Sequence, residues 1–231
     1  QVLLVRFLCH QIAQCDVARG FAFRLRQRGP RARDRGICLC QSEFVARAID
    51  DERISAFLVG PGLGRDEQAC ERLATVLERG RPTILDADAL HLIDRALLAK
   101  ADPAKLCVTP HEGELAKLCD SFGVGADCKL DRSRRLHDVT GMTVLAKGPD
   151  TILVGDGMTS FFERGSSWLS VAGTGDVLAG IAASRLALHG SPARAANEAV
   201  WLHHEAARRA GPAFTAGELA HAVAPAMGVF L

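Results

Sequence analysis

The chain has 231 residues, of which 48% are hydrophobic and 24% charged, and its formal net charge is +1. This length suits one large α/β domain, and the composition is that of an ordinary folded enzyme. The near-neutral charge gives no reason to expect a nucleic-acid or membrane partner, and no apolar run reaches the roughly 18 residues of a membrane-spanning helix.

The first 40 residues differ in composition from the rest of the chain. They contain eight Arg, two Asp and no Lys or Glu, and six of the arginines lie between Arg24 and Arg35. Six arginines in so short a stretch cannot all be buried, and the stretch lacks strand or helix periodicity. We assign no site residue there. We expect a single domain covering residues 1–231, in which residues 1–50 are atypical and residues 1–45 are the least ordered or least well-packed part.

Eight cysteines raise the alternatives of disulfides, a zinc site or free thiols. Cys38 and Cys40, with Cys9 and Cys15 upstream, do not have the spacing of a zinc knuckle. The other four stand singly in apolar or helical surroundings. Free thiols in a reducing cytosol are the favoured interpretation, and we expect a cytoplasmic location.

After Gln41, strand and helix patterns alternate to the end of the chain. Short apolar runs predict strands at 57–59, 83–85, 106–109 and 143–146, and a hairpin of 152–154 with 160–162. Periodicity and capping signals predict helices at 65–79, after Asp88 through 97, at 112–119, 177–189 and 192–210, and after Thr215. This alternation predicts a central, mostly parallel sheet with helices on both faces.

Glycine-rich or polar segments follow each of the four predicted parallel strands. They are GPGLG at 60–64, DAD at 86–88, PHEGE at 110–114 and KGPDT at 147–151. Ligands of open parallel sheets bind beyond the carboxyl ends of the strands. We therefore expect these four segments to line one site.

The segment AGTGD at 172–176 opens an apolar helix. Glycines let backbone N–H groups approach an anion, and a helix N-terminus adds favourable partial charge. Asp176, in the first turn, is placed either to accept a proton from an attacking hydroxyl or merely to cap the helix. The local sequence leaves both open.

Four further residues have both a functional and a structural interpretation. Lys147 either reaches a nucleotide phosphate or is an exposed loop lysine, and His111 either binds substrate or stabilises a turn. Asp86 and Asp88 either hold water around magnesium or cap the following helix, and structure and solvent are favoured.

Together the segments resemble the NAD(P)H-hydrate dehydratase family, whose fold is ribokinase-like. The matching blocks are FLVGPGLG, PTILDADAL, CVTPHEGE, TVLAKGPDTILV and SVAGTGDVLAGIAA, followed by NEAVWLHHEAA. They occur in the family's order from about Ile54 to the C-terminus. The GTGDVLAG form is similar to the bacterial branch, which generally uses ADP, whereas eukaryotic relatives use ATP.

The resemblance implies a lyase that repairs hydrated NADH and NADPH (NADHX and NADPHX). ADP or ATP would phosphorylate the C6 hydroxyl of the S epimer, and elimination of phosphate would restore NADH or NADPH. Mg²⁺ would screen the nucleotide phosphates mostly through water, with no protein metal site. The resemblance also implies a homo-oligomer, a tetramer, and functional pairing with an NAD(P)HX epimerase.

The same resemblance assigns roles to individual residues. Asp176 would be the catalytic base. The hydrated nicotinamide would contact Gly62, Gly64, His111 and Asp176. The adenine nucleotide would contact Lys147, Gly148, Pro149, Asp150 and Thr151, together with Gly173, Thr174 and Gly175 at the helix start.

Two other functions remain open. A small-molecule kinase of the same fold, acting on a thiamine or pyridoxal precursor, would show a similar helix start, but such kinases usually have Asn where His111 stands. A non-catalytic nucleotide-binding relative is the other alternative. Asp176 argues against it, because such a protein has no need of a base.

Overall fold

The structure, a computed structural model, describes residue 49 and residues 54–228. The expectations for residues 1–50 therefore lie outside the described residues, apart from Ile49, which is buried. The cysteines considered for a zinc knuckle lie outside them as well. None of the helices in the described part has the length and apolarity that crossing a membrane requires.

Six short strands form one sheet whose spatial order is the order along the chain. They are β1 Phe57–Val59, β2 Thr83–Leu85, β3 Leu106–Val108, β4 Thr143–Ala146, β5 Ile152–Gly155 and β6 Met158–Phe161. Strands β1 to β4 are parallel, and β5 and β6 add an antiparallel hairpin to β4. The predicted mostly parallel sheet is thus confirmed, with three parallel pairings among five.

Helices cover both faces of this sheet, as predicted. They are α1 Glu67–Glu78, α2 Asp88–Leu92, α3 Arg95–Leu98, α4 Glu112–Phe122, α5 Lys129–Thr140, α6 Thr174–His189, α7 Pro192–Ala210 and α8 Ala216–Met227. Single turns of 3-10 helix lie at Pro103–Lys105 and Ser167–Ser170.

The alternation of side chains along each strand divides the core into two layers. In β1, Phe57 and Val59 pack into the layer that contains residues of α1 to α5, whereas Leu58 packs into the layer of α6 to α8. Strands β2, β3 and β4 alternate in the same way. Because both faces are buried, these strands are continuous apolar runs, which is why short runs sufficed to predict them.

The structure departs from the predicted elements in three main ways, besides shifts of a few residues at other ends. The helix expected to run through residue 97 is two helices, because Ile93 leaves the helical conformation and the Asp94 carboxylate caps a new turn at the N–H of Leu97. The second hairpin strand begins at Met158, two residues before the predicted start. Helix α5 was not predicted, since it buries only Ser133, Leu136 and Thr140 and its apolar periodicity is weak.

The carboxyl end of β1 packs directly on the carboxyl end of β2. Gly60 has φ +134°, and a Cβ on it would lie 1.6 Å from the main-chain oxygen of Asp86. The Asp86 N–H donates to the Val59 carbonyl at 3.0 Å. Only a residue without a side chain allows this approach, so Gly60 sets the distance between the two strand ends.

We predict that Gly60→Ala lowers the free energy of unfolding by about 3 kcal/mol or more, because the methyl group collides with rigid backbone. Urea unfolding followed by circular dichroism measures this. Gly180→Ala is the matched control, since it lies within α6 with open space around its Cβ position. It should leave stability unchanged or raise it by about 0.5–1 kcal/mol. Equal stability of the two variants would contradict the prediction.

Candidate active site

Three polar side chains meet where β2, β3 and β4 end. The Asp86 carboxylate accepts from Lys147 Nζ at 2.8 Å and from Thr109 Oγ1 at 2.7 Å, both at the same oxygen, Oδ1. The Asp86 and Lys147 side chains are only 3% and 18% exposed. The interpretation of Asp86 as a helix cap or a solvated group is therefore wrong: it is the buried partner of a lysine 61 residues away.

Asp88 has a different task from Asp86. Its Oδ2 accepts from the N–H of Gly64 at 3.1 Å, and its Oδ1 accepts from Arg65 Nε at 2.7 Å. Gly62 and Gly64 have φ of +68° and +82°, a conformation that favours glycine. Asp88 thus holds the glycine loop after β1, which agrees with the structural role favoured for it.

The start of α6 carries the residues expected to bind phosphate. Gly173 is the N-cap with φ +88°, and Asp176 lies in the first turn. The N–H groups of Thr174 and Val177 are taken up by the carbonyls of Val171 and Gly173. The N–H groups of Gly175 and Asp176, in the same turn, have no backbone acceptor in the described part of the structure. They can therefore bind an anion.

Thr174 itself points into the protein. Its side chain is buried and donates to the carbonyls of Leu169 and Val171. Its own carbonyl accepts from Nε2 of buried His203 at 2.9 Å. Burial lowers the pKa of His203 to about 4, so this imidazole is neutral. The hydroxyl, the N–H and the carbonyl of Thr174 are thus all bonded within the protein, which argues against the nucleotide contact expected for this residue.

Asp176 is half-buried beside this helix start. Burial raises the pKa of its carboxyl, the charge of Asp86 raises it further, and the Lys147 ammonium acts in the opposite sense. Lys147 is close enough that a Cβ on Gly175 would lie 3.6 Å from its Nζ. One ammonium thus stands among two carboxylates and the positive end of a helix.

The KGPDT loop is closed on itself and tied to α5. Thr151 Oγ1 donates to the Gly148 carbonyl at 2.8 Å, and Lys129 Nζ donates to the Asp150 carboxylate at 2.8 Å and to its carbonyl at 3.0 Å. This hydrogen bond from Lys129 lowers the pKa of the exposed Asp150 carboxyl. Sequence analysis missed Lys129, because it lies on the helix that was not predicted.

His111 is the N-cap of α4. Its Nδ1 accepts from the N–H groups of Gly113 at 3.0 Å and Glu114 at 3.4 Å, and Glu114 Oε2 accepts from the His111 N–H at 2.8 Å. This is a capping box, so the structural alternative considered for His111 is present. The His111 ring is exposed, so a ligand can reach it, although its Nε2 also lies 3.4 Å from Glu114 Oε1.

The loops after β3 and β4 lie side by side. The Lys147 N–H donates to the Pro110 carbonyl at 2.7 Å, directly before His111. The structure thus brings Lys147, Gly175 and Asp176 together and places the His111 loop next to them. Within the described residues no group of three or more His, Cys, Asp or Glu side chains is arranged to hold a metal ion.

Comparison with solved structures defines the class of fold. A ribokinase-like superfamily protein from Enterococcus faecalis matches with a TM-score of 0.68 at 23% identity, over 82% of this chain and 68% of that one. The Bacillus subtilis ADP/ATP-dependent NAD(P)H-hydrate dehydratase, co-crystallised with ATP/Mg²⁺, matches with a TM-score of 0.66 at 25% identity, over 81% and 70%. The expected ribokinase-like fold is confirmed.

The family model for NAD(P)H-hydrate dehydratase matches residues 37–227, so the chain belongs to that family. The match begins earlier than the resemblance recognised from about Ile54. An ADP-dependent (S)-NAD(P)H-hydrate dehydratase from Neisseria meningitidis is 36% identical over 201 residues, which are 82% of this chain and 66% of that protein.

Longer relatives match as well. A bifunctional NAD(P)H-hydrate repair enzyme from Mycobacterium tuberculosis is 37% identical over 137 residues, or 58% of this chain. The matched part is 28% of that enzyme, so this chain corresponds to a minor share of its length.

We predict that Lys129→Met loosens the KGPDT loop, because it removes both bonds to Asp150 and keeps the length of the side chain. Amide hydrogen exchange at residues 147–151 should become faster, while exchange in β4 stays as it is. Lys117→Met, an exposed substitution on α4, is the control. Unchanged exchange in the loop of the Lys129 variant would show that the loop holds its shape without this tether.

Proposed function

We propose that the chain catalyses the ADP- or ATP-dependent dehydration of the S epimer of hydrated NADH and NADPH. The observation that carries this proposal is Asp176, a half-buried carboxylate with a raised pKa, next to the free N–H groups at the start of α6. A carboxylate placed at an anion site suits a base that takes the proton of a hydroxyl attacking phosphorus. Membership of the family supports the substrate.

The nucleotide and the hydrated nicotinamide approach Asp176 from different loops in this proposal. Lys147 to Thr151 bind the nucleotide, Gly173 and Gly175 bind its phosphates, and Lys147 supplies a positive charge. Gly62, Gly64 and the His111 ring contact the nicotinamide side. The adjacency of the Lys147 and Pro110 main chains supports one shared crevice.

The first chemical step is phosphoryl transfer. The Asp176 carboxylate accepts the proton of the C6 hydroxyl, and the hydroxyl oxygen attacks the terminal phosphorus of the nucleotide. The bond from that phosphorus to the bridging oxygen breaks, which releases AMP from ADP, or ADP from ATP. The N–H groups of Gly175 and Asp176 and the Lys147 ammonium stabilise the charge on the transferred group.

The second step is elimination. The C6–O bond breaks and phosphate leaves with its electron pair. The neighbouring carbon loses its proton to the departing phosphate, and the electron pair of that C–H bond forms the ring double bond. Phosphorylation makes this possible at neutral pH, since phosphate is a far better leaving group than hydroxide. The protein contributes orientation and exclusion of water, which preserve the reactive geometry.

Magnesium fits this site as a companion of the nucleotide. Asp86 is already occupied by Lys147 and Thr109, so the described side chains offer no cage for the ion. Mg²⁺ commonly keeps several waters and is bound through substrate phosphates. When bound, it would screen the phosphate charges.

Several expectations for the whole protein remain proposals. The bifunctional relatives support functional pairing with an epimerase. Assembly as a homo-oligomer, a tetramer, and a cytoplasmic location stay predictions from the sequence. The kinase alternative differs in outcome, because a kinase accumulates a phosphorylated product, whereas the proposed reaction restores NADH and its absorbance at 340 nm.

We predict that Asp176→Asn lowers kcat by about 10²–10⁴ while ADP still binds, since the amide keeps the shape of the carboxylate but cannot accept the proton. Turnover of NADHX with ADP, followed at 340 nm, and calorimetry with ADP measure the two effects. Asp120→Asn, an exposed change on α4, is the control. A variant that kept more than about half of the wild-type kcat would refute the base assignment.

We predict that the KGPDT loop binds ADP and that the His111 loop binds the hydrated dinucleotide. Lys147→Met should weaken ADP binding and spare the hydrated dinucleotide, whereas His111→Asn should do the reverse. Each lost contact should cost about 1–3 kcal/mol, roughly tenfold to a hundredfold in affinity. Asn is chosen because it is itself a good N-cap, so α4 stays capped when the imidazole is lost.

Titration calorimetry of both variants with both ligands makes the measurement. Were both substitutions to weaken only ADP, His111 would belong to the nucleotide side and the kinase alternative would gain support. No effect on either ligand would mean that the loops do not form one site.

A further inference from the structure

The proposed mechanism uses Lys147 but gives no role to the two residues that hold it. Asp86 is among the least exposed charged side chains of the described chain, at 2%, and Thr109 is fully buried. Thr109 donates to the same carboxylate oxygen that Lys147 binds. Asp86 is thus a buried carboxylate that accepts two hydrogen bonds at the edge of the proposed site.

The place where Lys147 ends is electrostatically unfavourable for a cation. The N-terminus of a helix carries partial positive charge and favours anions. Nζ nevertheless lies beside Gly175 in the first turn of α6. The Asp86 carboxylate, 2.8 Å from Nζ, offsets that repulsion. It therefore explains how the ammonium can lie beside the proposed phosphate site.

A second carboxylate competes for the same ammonium. Asp176 lies next to Gly175, and an ion pair between Lys147 and Asp176 would make Asp176 a weaker base. The elements packed around this point carry further titratable groups. Cys107 of β3 is a thiol whose pKa burial raises to about 12, His203 of α7 is neutral, and Glu218 of α8 is bonded to Thr215. The Lys147 ammonium can therefore pair with one of two carboxylates, that of Asp86 or that of Asp176.

We propose that Asp86 is a positioning residue for the reaction: held by Thr109, it binds the Lys147 ammonium at the start of α6 and so keeps that ammonium from pairing with Asp176. Lys147 then serves the phosphate, and Asp176 stays free to accept the proton. The catalytic consequence rests on the proposed function, whereas the competition between the two carboxylates is a property of the protein alone.

The test is Asp86→Asn in the full chain. We expect kcat to fall about tenfold to a hundredfold, because Lys147 now pairs with Asp176. ADP should bind with unchanged or higher affinity, since a negative charge has left the phosphate site. In the ligand-free protein, the carboxyl ¹³C titration of Asp176 should move to lower pH. A merely structural role for Asp86 would lower binding, turnover and stability together.

A double-mutant cycle shows whether Asp86 acts through Lys147. In a Lys147→Met background, at saturating ADP, Asp86→Asn should have little further effect on kcat. If the reduction in kcat of the double variant equalled the product of the two single-variant reductions, the proposal would be overturned. Glu198→Gln is the matched control: it breaks a similarly buried pair with Arg185 towards the other end of α6, and should lower thermal stability without changing kcat or ADP affinity.

Thr109 provides a test that does not depend on the folding of the Asp86 variant. Thr109→Val removes the hydroxyl donor with little change of shape, and should lower kcat and shift the Asp176 titration in the same direction as Asp86→Asn. Thr109→Ser should restore both. If Thr109→Val behaves like wild type in both measurements, the proposal fails.

Failure of the proposed function can be recognised separately. If the wild-type chain does not restore NADH from NADHX with either nucleotide, the dehydratase proposal fails. The Asp176 titration in the ligand-free variants still decides whether Asp86 controls the partner of Lys147. An Asp176 titration that is the same in wild type, Asp86→Asn and the double variant would overturn the positioning role.

Discussion

Asp86 connects the ends of four strands. Its N–H bonds to Val59 and its carbonyl lies against Gly60, which fixes β2 to β1, while its carboxylate binds Thr109 after β3 and Lys147 after β4. The four loops that carry the chemistry leave the sheet at these points. Their relative positions therefore depend on one residue that contacts no ligand in the proposed mechanism.

The buried pair is costly to form, because both charges give up water, and a well-packed apolar pair is often as stable. Its presence at this place is explained by the position that it gives Lys147 rather than by stability. The helix start needs a cation for phosphate and also repels it, and the carboxylate resolves that conflict. The same carboxylate raises the pKa of Asp176, which suits a group that must accept a proton.

Whether a feature could be predicted from the sequence depends on how far apart in the chain its interacting residues lie. The parallel strands, the glycine-rich helix start and the capping box of Thr215 with Glu218 depend on residues close in the chain, and they are present as predicted. Asp86 was misjudged because its partner is 61 residues away and nothing local indicates the pair. A carboxylate at a strand end looks the same whether it faces solvent or a buried ammonium.

Helix α5 escaped prediction for a related reason. Its sequence KLDRSRRLHDVT has few apolar residues, and polar Ser133 and Thr140 occupy buried positions. Their hydroxyls donate to carbonyls one turn back, at Lys129 and Leu136, so each satisfies its polar group within the helix. A hydrophobicity pattern does not reveal a helix whose buried face is partly polar. Lys129 was missed because it belongs to that helix.

The loops around the crevice share one design principle. Asp88 holds the glycine loop after β1, Glu114 and His111 hold the turn after β3, and Lys129 holds the loop after β4. The Asp88, Glu114 and Lys129 side chains belong to helices, and His111 is the N-cap of one. Phosphoryl transfer requires attacking and leaving groups in line, and small displacements are expensive in rate. The Lys147 ammonium, held by Asp86, and the Asp176 carboxylate lie among these fixed loops, and the proposed chemistry is built from them.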